Sequence, residues 1–452
     1  MAKGKAAKEL SGREQALKLL VKFDAGDVGL DMLVEREFAG LSTRERAFAM
    51  ELVYGVLRWR IKIDWIIDLK STVKTKKMEH LVLNILRLGV YQLLFLTKVP
   101  SHAVIDESVG LLKGGVSKKR GFVNAVLRTI DTDRETIYFP NLKTSPTRYL
   151  SIVHSHPEWL VERWLTRFGV RETIALCQVN NRRPPLTLRT NSLRLTREEL
   201  AENLGADGIG TEACAYAPLA LEVKERPSTP LPPSPDYYIQ DEASQIVPYL
   251  LDPTPGEVVL DVCAAPGGKA TAIAQLMENE GEVFALDISP VKVGVIKTIA
   301  KRLGTTIVTP LPGDGLKKID CVPSGGFDAI LIDAPCSGLG VIRRNPDIRY
   351  RKTSADLERL AALQSALLDN CAAYLKDGGR LVYSTCSYEP EENEEVVKAF
   401  LRKHRDFIIE DGTAFLPEPC AALVESDGFL RTFPHRHGMD GFFGARLRKP
   451  LR

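Results

Sequence analysis

The sequence predicts an α/β protein in three parts. Residues 1–140 form an all-α domain, 141–250 a small mixed α/β module, and 251–452 a domain on a mostly parallel sheet with an antiparallel edge. Three observations carry this reading. From Arg13 to about Ile130 apolar residues recur at three and four, the spacing of amphipathic helices, with almost no strand signal between. Five prolines fall within the nine residues 227–235, a density that no regular element tolerates. From Gly256 onward, short apolar runs that end in an acid alternate with helical stretches, as in βαβ units.

A chain of 452 residues, 44% apolar, 26% charged and with a formal charge of +3, has the composition of a soluble protein that buries several cores. No N-terminal apolar core follows "MAKGKAAKEL", and the longest apolar run, "LGVYQLLFL", is too short to span a bilayer. A cytoplasmic monomer with no membrane partner is expected. The eight cysteines are scattered without a C-x-x-C pair, so neither a disulfide framework nor a metal site is expected. Any special cysteine is a thiol. Charge is uneven: residues 1–150 hold 26 Lys+Arg against 17 Asp+Glu, which points the N-terminal third at a polyanion unless the excess only solubilises it.

The helical part is legible in "REQALKLLVKF", "RAFAMELVYGVLRWRIKIDWIIDL", "LVLNILRLGVYQLLFL" and "HAVIDESVGLL". Pro100 ends one helix and Ser101 is placed to cap the next. "KGGVSKKRGFVNAVLRTI" starts a last helix behind a glycine-rich basic turn. There Lys118, Lys119 and Arg120 can hold phosphate together with the backbone N–H groups, or form a solvated turn. Residues 10–130 resemble the NusB-type helical RNA-binding domain, chiefly through "LRLGVYQLLFLTKVPSHAVIDESVGLLK" and "GFVNAVLR". The resemblance implies RNA contact.

In the middle module "HPEWLVERWLTRFG" reads as a helix with Pro157 in its first turn and "PPLTLRTNSLR" as a strand. "TREELAENLGADG" reads as a helix closed by glycine. "RPSTPLPPSPDYY" is an extended loop, and Asp241 or Ser244 can start the helix of "IQDEASQIVPYLL". Arg182, Arg183 and Arg189 can extend an RNA track, although surface arginines are commonly only solvated.

"EVVLDVCAAPGGKATAIAQLM" is an apolar strand ending in Asp261, a loop of small residues and a helix; "GEVFALDIS" is a second strand, ending in Asp287, 26 residues after Asp261. This plan binds a nucleoside at the carboxyl ends of parallel strands, where an acid takes the ribose hydroxyls. G-x-G-x-x-G and the Walker lysine are absent, which disfavours dinucleotides and triphosphates. Three more strands deliver Asp314, then Asp333 with Cys336, then Cys386, each just past an apolar run. In one parallel sheet these residues reach one rim. A single cysteine at a strand end is commonly core filler, but two beside an acid point to chemistry.

"DVCAAPGGK", "DAPCSGLGVIRRNPD" and "YSTCSYEPEEN" resemble the signature motifs of the S-adenosylmethionine-dependent RNA 5-methylcytosine methyltransferases. Together with the NusB-like part, the chain is similar to the Sun/Fmu (RsmB) branch, which modifies 16S ribosomal RNA. The resemblance implies a Rossmann-like catalytic domain and S-adenosylmethionine as cofactor. Cys263, Ala264, Ala265, Pro266, Gly267, Gly268 and Lys269 would line its methionine end, Asp287 its ribose and Asp314 its adenine side. Asp333 would lie near cofactor and target base, Cys386 would be the nucleophile, and Cys336 would help release product. Lys269 would hold Cys386 as thiolate, orient the base, or contact the cofactor carboxylate.

Chemistry explains the residue types. Carbon 5 of cytosine is a poor nucleophile until a group adds at carbon 6, and a thiolate suits that step. Asp333 can hydrogen-bond ring nitrogen 3, and a second thiol can promote elimination. Glu389, Glu391 and Glu392 read as the start of a helix behind Pro390. Arg343, Arg344, Arg349 and Arg351 can grip phosphates around an extruded base, or be structural. "GFLRTFPHRHGMDGFFGARLRK" reads as two strands around a turn, with His435 and His437 on the surface. Two other readings stand beside this one. One is a methyltransferase on another RNA or on DNA with Cys336 as nucleophile; the other is a non-catalytic RNA-binding or antitermination-like protein.

Overall fold

In the computed structural model, which describes residues 11–26, 29–113, 117–225, 230–320 and 322–451, the chain forms two compact units. The first comprises Met1–Arg182 and Asn345–Arg351. Its helical spacing produces helices Gly12–Asp24, Leu30–Phe38, Thr43–Lys70, His80–Phe95, Ser101–Gly110 and Ser117–Thr132. Their apolar faces meet in a cluster that includes Leu20, Phe38, Val56, Leu88 and Leu127. Arg87 is buried there because Asp24 and Asp64 pair with its guanidinium at 2.8 and 2.7 Å, and an interior cation survives only with such partners.

Local signals place the helix starts unevenly. Ser42 accepts the Glu45 N–H and caps Thr43–Lys70. Ser101 does not cap: Pro100 takes that position, and the Ser101 hydroxyl accepts the Arg134 guanidinium at 2.8 Å. Lys119 pairs with Glu79 at 2.6 Å, while Gly114, Gly115 and Val116 of the basic turn lie outside the described residues. Within Glu158–Asn180 the backbone leaves the helix at Gly169, at φ 72° and ψ 176°, so the first helical stretch ends at the glycine as the sequence predicts and a second follows it. Arg349 of the second segment is buried and donates to the carbonyls of Arg58, Ser155 and Asn180 at 2.8–2.9 Å. It is a structural arginine and not a phosphate ligand.

The second unit, Arg183–Arg344 with Lys352–Arg452, holds two sheets. The smaller has strands β1 (Leu186–Thr190), β2 (Thr211–Ala213), β3 (Ala220–Val223) and β4 (Tyr237–Ile239), in the order β2-β3-β1-β4 and antiparallel throughout. Leu188 and Leu221 of this sheet pack with Leu200 and Leu204 of helix Arg197–Ala206, whose start is a Thr196–Glu199 capping box. Residues 230–236 approach β4 without forming a strand; 226–229 lie outside the described residues.

The larger sheet has strands β5 (Val258–Val262), β6 (Glu282–Asp287), β7 (Val308–Pro312), β8 (Phe327–Asp333), β9 (Leu375–Thr385), β10 (Ile408–Glu410), β11 (Leu430–Arg431) and β12 (Phe443–Arg448). Its order is β10-β12-β9-β8-β5-β6-β7, with β11 paired to β12. β5 to β9 run parallel, while β12 lies antiparallel to β9 and β10 antiparallel to β12, which makes the antiparallel edge. Alternate residues serve two cores: Val259, Ala285 and Leu331 pack with Ile246 and Ile273, and Leu260, Ile330 and Tyr383 pack with Leu368 and Phe400. From β5 the chain builds outward through β6 and β7 and then returns to β5's other side with β8. Ligand crevices form at the carboxyl ends of strands around such a reversal.

Candidate functional site

The rim at the ends of β5, β6, β8 and β9 collects the predicted residues. β8 and β9 are parallel with Asp333 opposite Ser384, and the Ala334 N–H donates to the Ser384 carbonyl, so the segments past both strands leave at one level. Cys336 and Cys386 therefore meet, Sγ to Sγ at 3.3 Å. Hydrogen bonding to Cys386 and burial together push the Cys336 thiol well up, so Cys336 keeps its proton. Cys263, half-buried in the loop after β5, is also pushed up, by burial and the charge of Asp333.

Two cavities open here. One, of about 430 Å³, is bordered by Asp287, Ile288, Asp314, Leu316 and Cys336. The other, of about 310 Å³, is bordered by Lys269, Asp241, Ser244, Arg344 and Phe442, with Ala264, Pro266 and Gly268 in its wall. Cys263, Ala265, Asp333 and Cys386 border both. A group held in either cavity thus faces Asp333 and Cys386.

Electrostatics follow from the pairing. Lys269 Nζ lies 2.7 Å from Asp333 Oδ2 and 3.1 Å from Ser244 Oγ, over the ring of Phe442. Burial opposes its charge, but the Asp333 carboxylate overcomes this and raises the Lys269 pKa above its ordinary value. Asp333 Oδ1 accepts the Ser384 hydroxyl at 2.9 Å, which orients the carboxylate. Burial and the neighbouring Asp333 drive Asp261 well above the carboxylate range. Asp287 accepts the Ala265 N–H at 3.3 Å and the Ser289 N–H at 3.0 Å; Asp314 accepts the Leu316 N–H at 3.0 Å.

Gly267 borders neither cavity. It sits at φ 107°, and a Cβ there would press on Ile296 at 3.2 Å; at Gly268 a Cβ would meet Tyr238 at 2.9 Å. These glycines let the loop pack against protein as well as turn. Arg189 is equally internal. It donates to Gln240 at 2.6 Å, to Thr271 at 2.8 Å and to the Gly268 carbonyl, and stacks on Tyr238, so it braces the loop instead of tracking RNA. Arg343 and Arg344 also leave the expected phosphate grip: both pair with Asp440 and Asp241. Asp241 starts the helix Glu242–Leu251 as the sequence predicts, but its place in the cavity wall beside Ser244 and Arg344, like that of Phe442, escaped sequence reading because the partners lie far along the chain. Glu392 escaped too. It closes the single 3-10 turn Pro390–Glu392 that precedes helix Glu394–Lys403, with Pro390 in the first turn as predicted, but its buried carboxylate turns to Ser337 and Ser387.

Three family patterns match the chain: "16S rRNA methyltransferase RsmB/F" over residues 248–448, the NusB family over 11–132, and an RsmF/B-like ferredoxin-like domain over 156–229. A Bacillus subtilis protein described as a probable ribosomal RNA small subunit methyltransferase B is 39% identical over 451 residues, covering 98% of this chain and 99% of its own. The chain belongs to the RsmB/F family of 16S rRNA methyltransferases. Solved structures similar to this RsmB/F member include PH0851, with 27% identity and a TM-score of 0.76 over 98% of this chain and 100% of that one. NSun6 from Pyrococcus horikoshii, solved with SFG, is 26% identical with a TM-score of 0.58 over 66% of this chain and 100% of that one.

The cofactor of the family is S-adenosylmethionine, and the first cavity suits it. Asp287 and Asp314 offer acceptors for hydroxyl and amino donors, and Ile288 and Leu316 offer aliphatic walls for a flat ring. No described helix is long and apolar enough to cross a membrane.

Proposed function

We propose that this RsmB/F member methylates carbon 5 of a cytosine in 16S ribosomal RNA through a covalent Cys386 adduct. The observation that carries the reading is the pair of thiols 3.3 Å apart, with Cys386 on the wall between the two cavities. Asp287 would hold the ribose of S-adenosylmethionine, Asp314 its adenine side, and Cys263 to Lys269 its methionine end. When bound, the cofactor supplies an electrophilic methyl group on a sulfonium.

The chain's own residues do the rest. Cys386 Sγ bonds to carbon 6 of a cytosine in the second cavity, which turns carbon 5 into a nucleophile. Asp333, fixed by Lys269 and Ser384, borders the cavity that would hold the ring, where a proton shared between its carboxyl group and nitrogen 3 would offset the negative charge that develops on the ring. Lys269, held as a cation by Asp333, borders the same cavity as Cys386 and orients the Asp333 carboxyl group there. Once carbon 5 carries the methyl group, its proton passes to water, the C–H electron pair forms the double bond between carbons 5 and 6, and the bond to Cys386 breaks with its electron pair leaving on the sulfur. Cys336 stands beside the departing sulfur and carries a proton, which suits it to release.

Cys386, half-buried at the cavity wall, cannot reach a stacked, paired base, so the target cytosine is single-stranded or flipped out. The three segments divide this work: 1–140 contacts RNA, 141–250 braces the cofactor loop, and 251–452 does the chemistry. The protein acts in the cytoplasm as a monomer. The test is methyl transfer from labelled S-adenosylmethionine to unmethylated 16S rRNA, with nucleoside mass spectrometry of the product. Label in 5-methylcytidine supports the reading, and label in any other nucleoside contradicts it.

A further inference from the structure

Glu392 is fully buried, yet donors from three separate segments reach its side chain. Oε1 accepts the Ser337 N–H at 2.7 Å and the Gln364 amide at 3.2 Å; Oε2 accepts the Ser387 hydroxyl at 2.7 Å and the Ser337 hydroxyl. Ser337 directly follows Cys336, and Ser387 directly follows Cys386. Gln364 also donates to the carbonyl of Pro335, directly before Cys336, at 2.9 Å. The two serine hydroxyls stand 3.2 Å apart. One carboxylate therefore ties down the residues beside both thiols.

Its own position is equally constrained. Pro390–Glu392 is a single tight turn, Tyr383 donates its hydroxyl to the Glu392 carbonyl, and Asn393 joins Thr385 at 2.6 Å to the Ser387 carbonyl at 3.0 Å. An interior carboxylate is expensive to bury, and four donors on its two oxygens are what make it tolerable. An apolar side chain would fill the space without that cost but could not join the two segments.

We propose that Glu392 is a positioning residue for the two thiols: its carboxylate fixes the Cys336 and Cys386 segments so that the sulfurs stay in contact, which product release requires. The claim about release rests on the covalent reading above; the claim about geometry does not.

Two readouts on Glu392→Gln, which keeps the shape but replaces one acceptor oxygen with an amide NH2, test this. In the first, diamide oxidises the folded protein, taking two hydrogens as the two thiols join, and peptide mass spectrometry measures the Cys336–Cys386 disulfide without any RNA. The rate should fall at least tenfold in Glu392→Gln, and by a smaller factor in Ser387→Ala, which removes one strap and leaves the carboxylate. In the second, single-turnover reactions with 16S rRNA should show the adduct forming near the wild-type rate and decaying at least tenfold more slowly. Wild-type cross-linking rates in both variants would overturn the proposal, as would adduct formation and decay falling together in step with thermal stability. If the wild-type protein makes no adduct while Glu392→Gln still slows cross-linking, the covalent reading fails and the positioning by Glu392 stands.

Discussion

Lys269 Nζ lies 2.7 Å from Asp333 Oδ2, and the pair borders the same cavity as Cys386. Removing the cation leaves Asp333 half-buried without its partner. Lys269→Met should cost about 1–3 kcal/mol of stability, less than a fully buried pair because Asp333 keeps some solvent. Single-turnover methylation should fall at least 100-fold. Chemical denaturation and rapid-quench kinetics measure the two losses separately.

Arg189 is a bridge between β1 and the loop that starts helix Gly268–Leu276. Burial lowers its pKa to about 10, still charged at neutral pH. Arg189→Met should loosen the loop and raise the KM for S-adenosylmethionine about tenfold. The salt dependence of RNA binding should not change, because a phosphate contact would contribute about one unit of slope and Arg189 makes none. Titrations at several salt concentrations decide this.

Gly340 shows how tightly the Cys386 segment is packed. Its N–H donates to the Cys386 carbonyl at 2.9 Å, and a Cβ would sit 2.0 Å from the Gly441 carbonyl and 2.8 Å from that of Cys386. All of these are backbone atoms, which cannot turn aside. Gly340→Ala should destabilise the second unit by about 2–4 kcal/mol, as overpacking against backbone does. It should also cut activity by displacing Cys386. Thermal unfolding and kcat check the two parts.

Three histidines make the fold acid-sensitive. His154 is held down to about 4 by burial and the charge of Lys62, His437 to about 4 by burial and the charge of Arg436, and His156 well below its ordinary value by burial and the charge of Arg349. Each is neutral when folded and takes a proton near 6.5 when unfolded. Their contribution is complete above pH 6.5 and declines as pH falls toward 4, by about 2 kcal/mol each for His154 and His437 at pH 5. Urea denaturation should show stability falling between pH 7 and 5, and His154→Gln should flatten that slope.

How much of this was legible depended on distance along the chain. Helical spacing, the acids ending β5, β6 and β8 and the cysteines past β8 and β9 are local patterns, and parallel pairing places them together. Partnerships are not local. Arg344 meets Asp241 and Asp440 across about a hundred residues, and Arg349 caps carbonyls as distant as Arg58. An arginine in a basic stretch looks the same whether it will face phosphate or a buried carbonyl. Ser101 shows the same limit on a smaller scale, since a residue suited to cap a helix also suits its first turn. Glu392 was hidden among neighbours of its own kind. Pro390 made the whole run read as a helix start, and only the tight turn at Pro390–Glu392 carries one of those carboxylates back to the serines.

The roles of the two thiols are the centre of the account. The most direct measurement is the denaturation-resistant RNA adduct formed with labelled S-adenosylmethionine and 16S rRNA by Cys386→Ala and Cys336→Ala separately. Cys386→Ala should form no adduct, and Cys336→Ala should accumulate one. An adduct that persists in Cys386→Ala and disappears in Cys336→Ala would make Cys336 the nucleophile and contradict these roles.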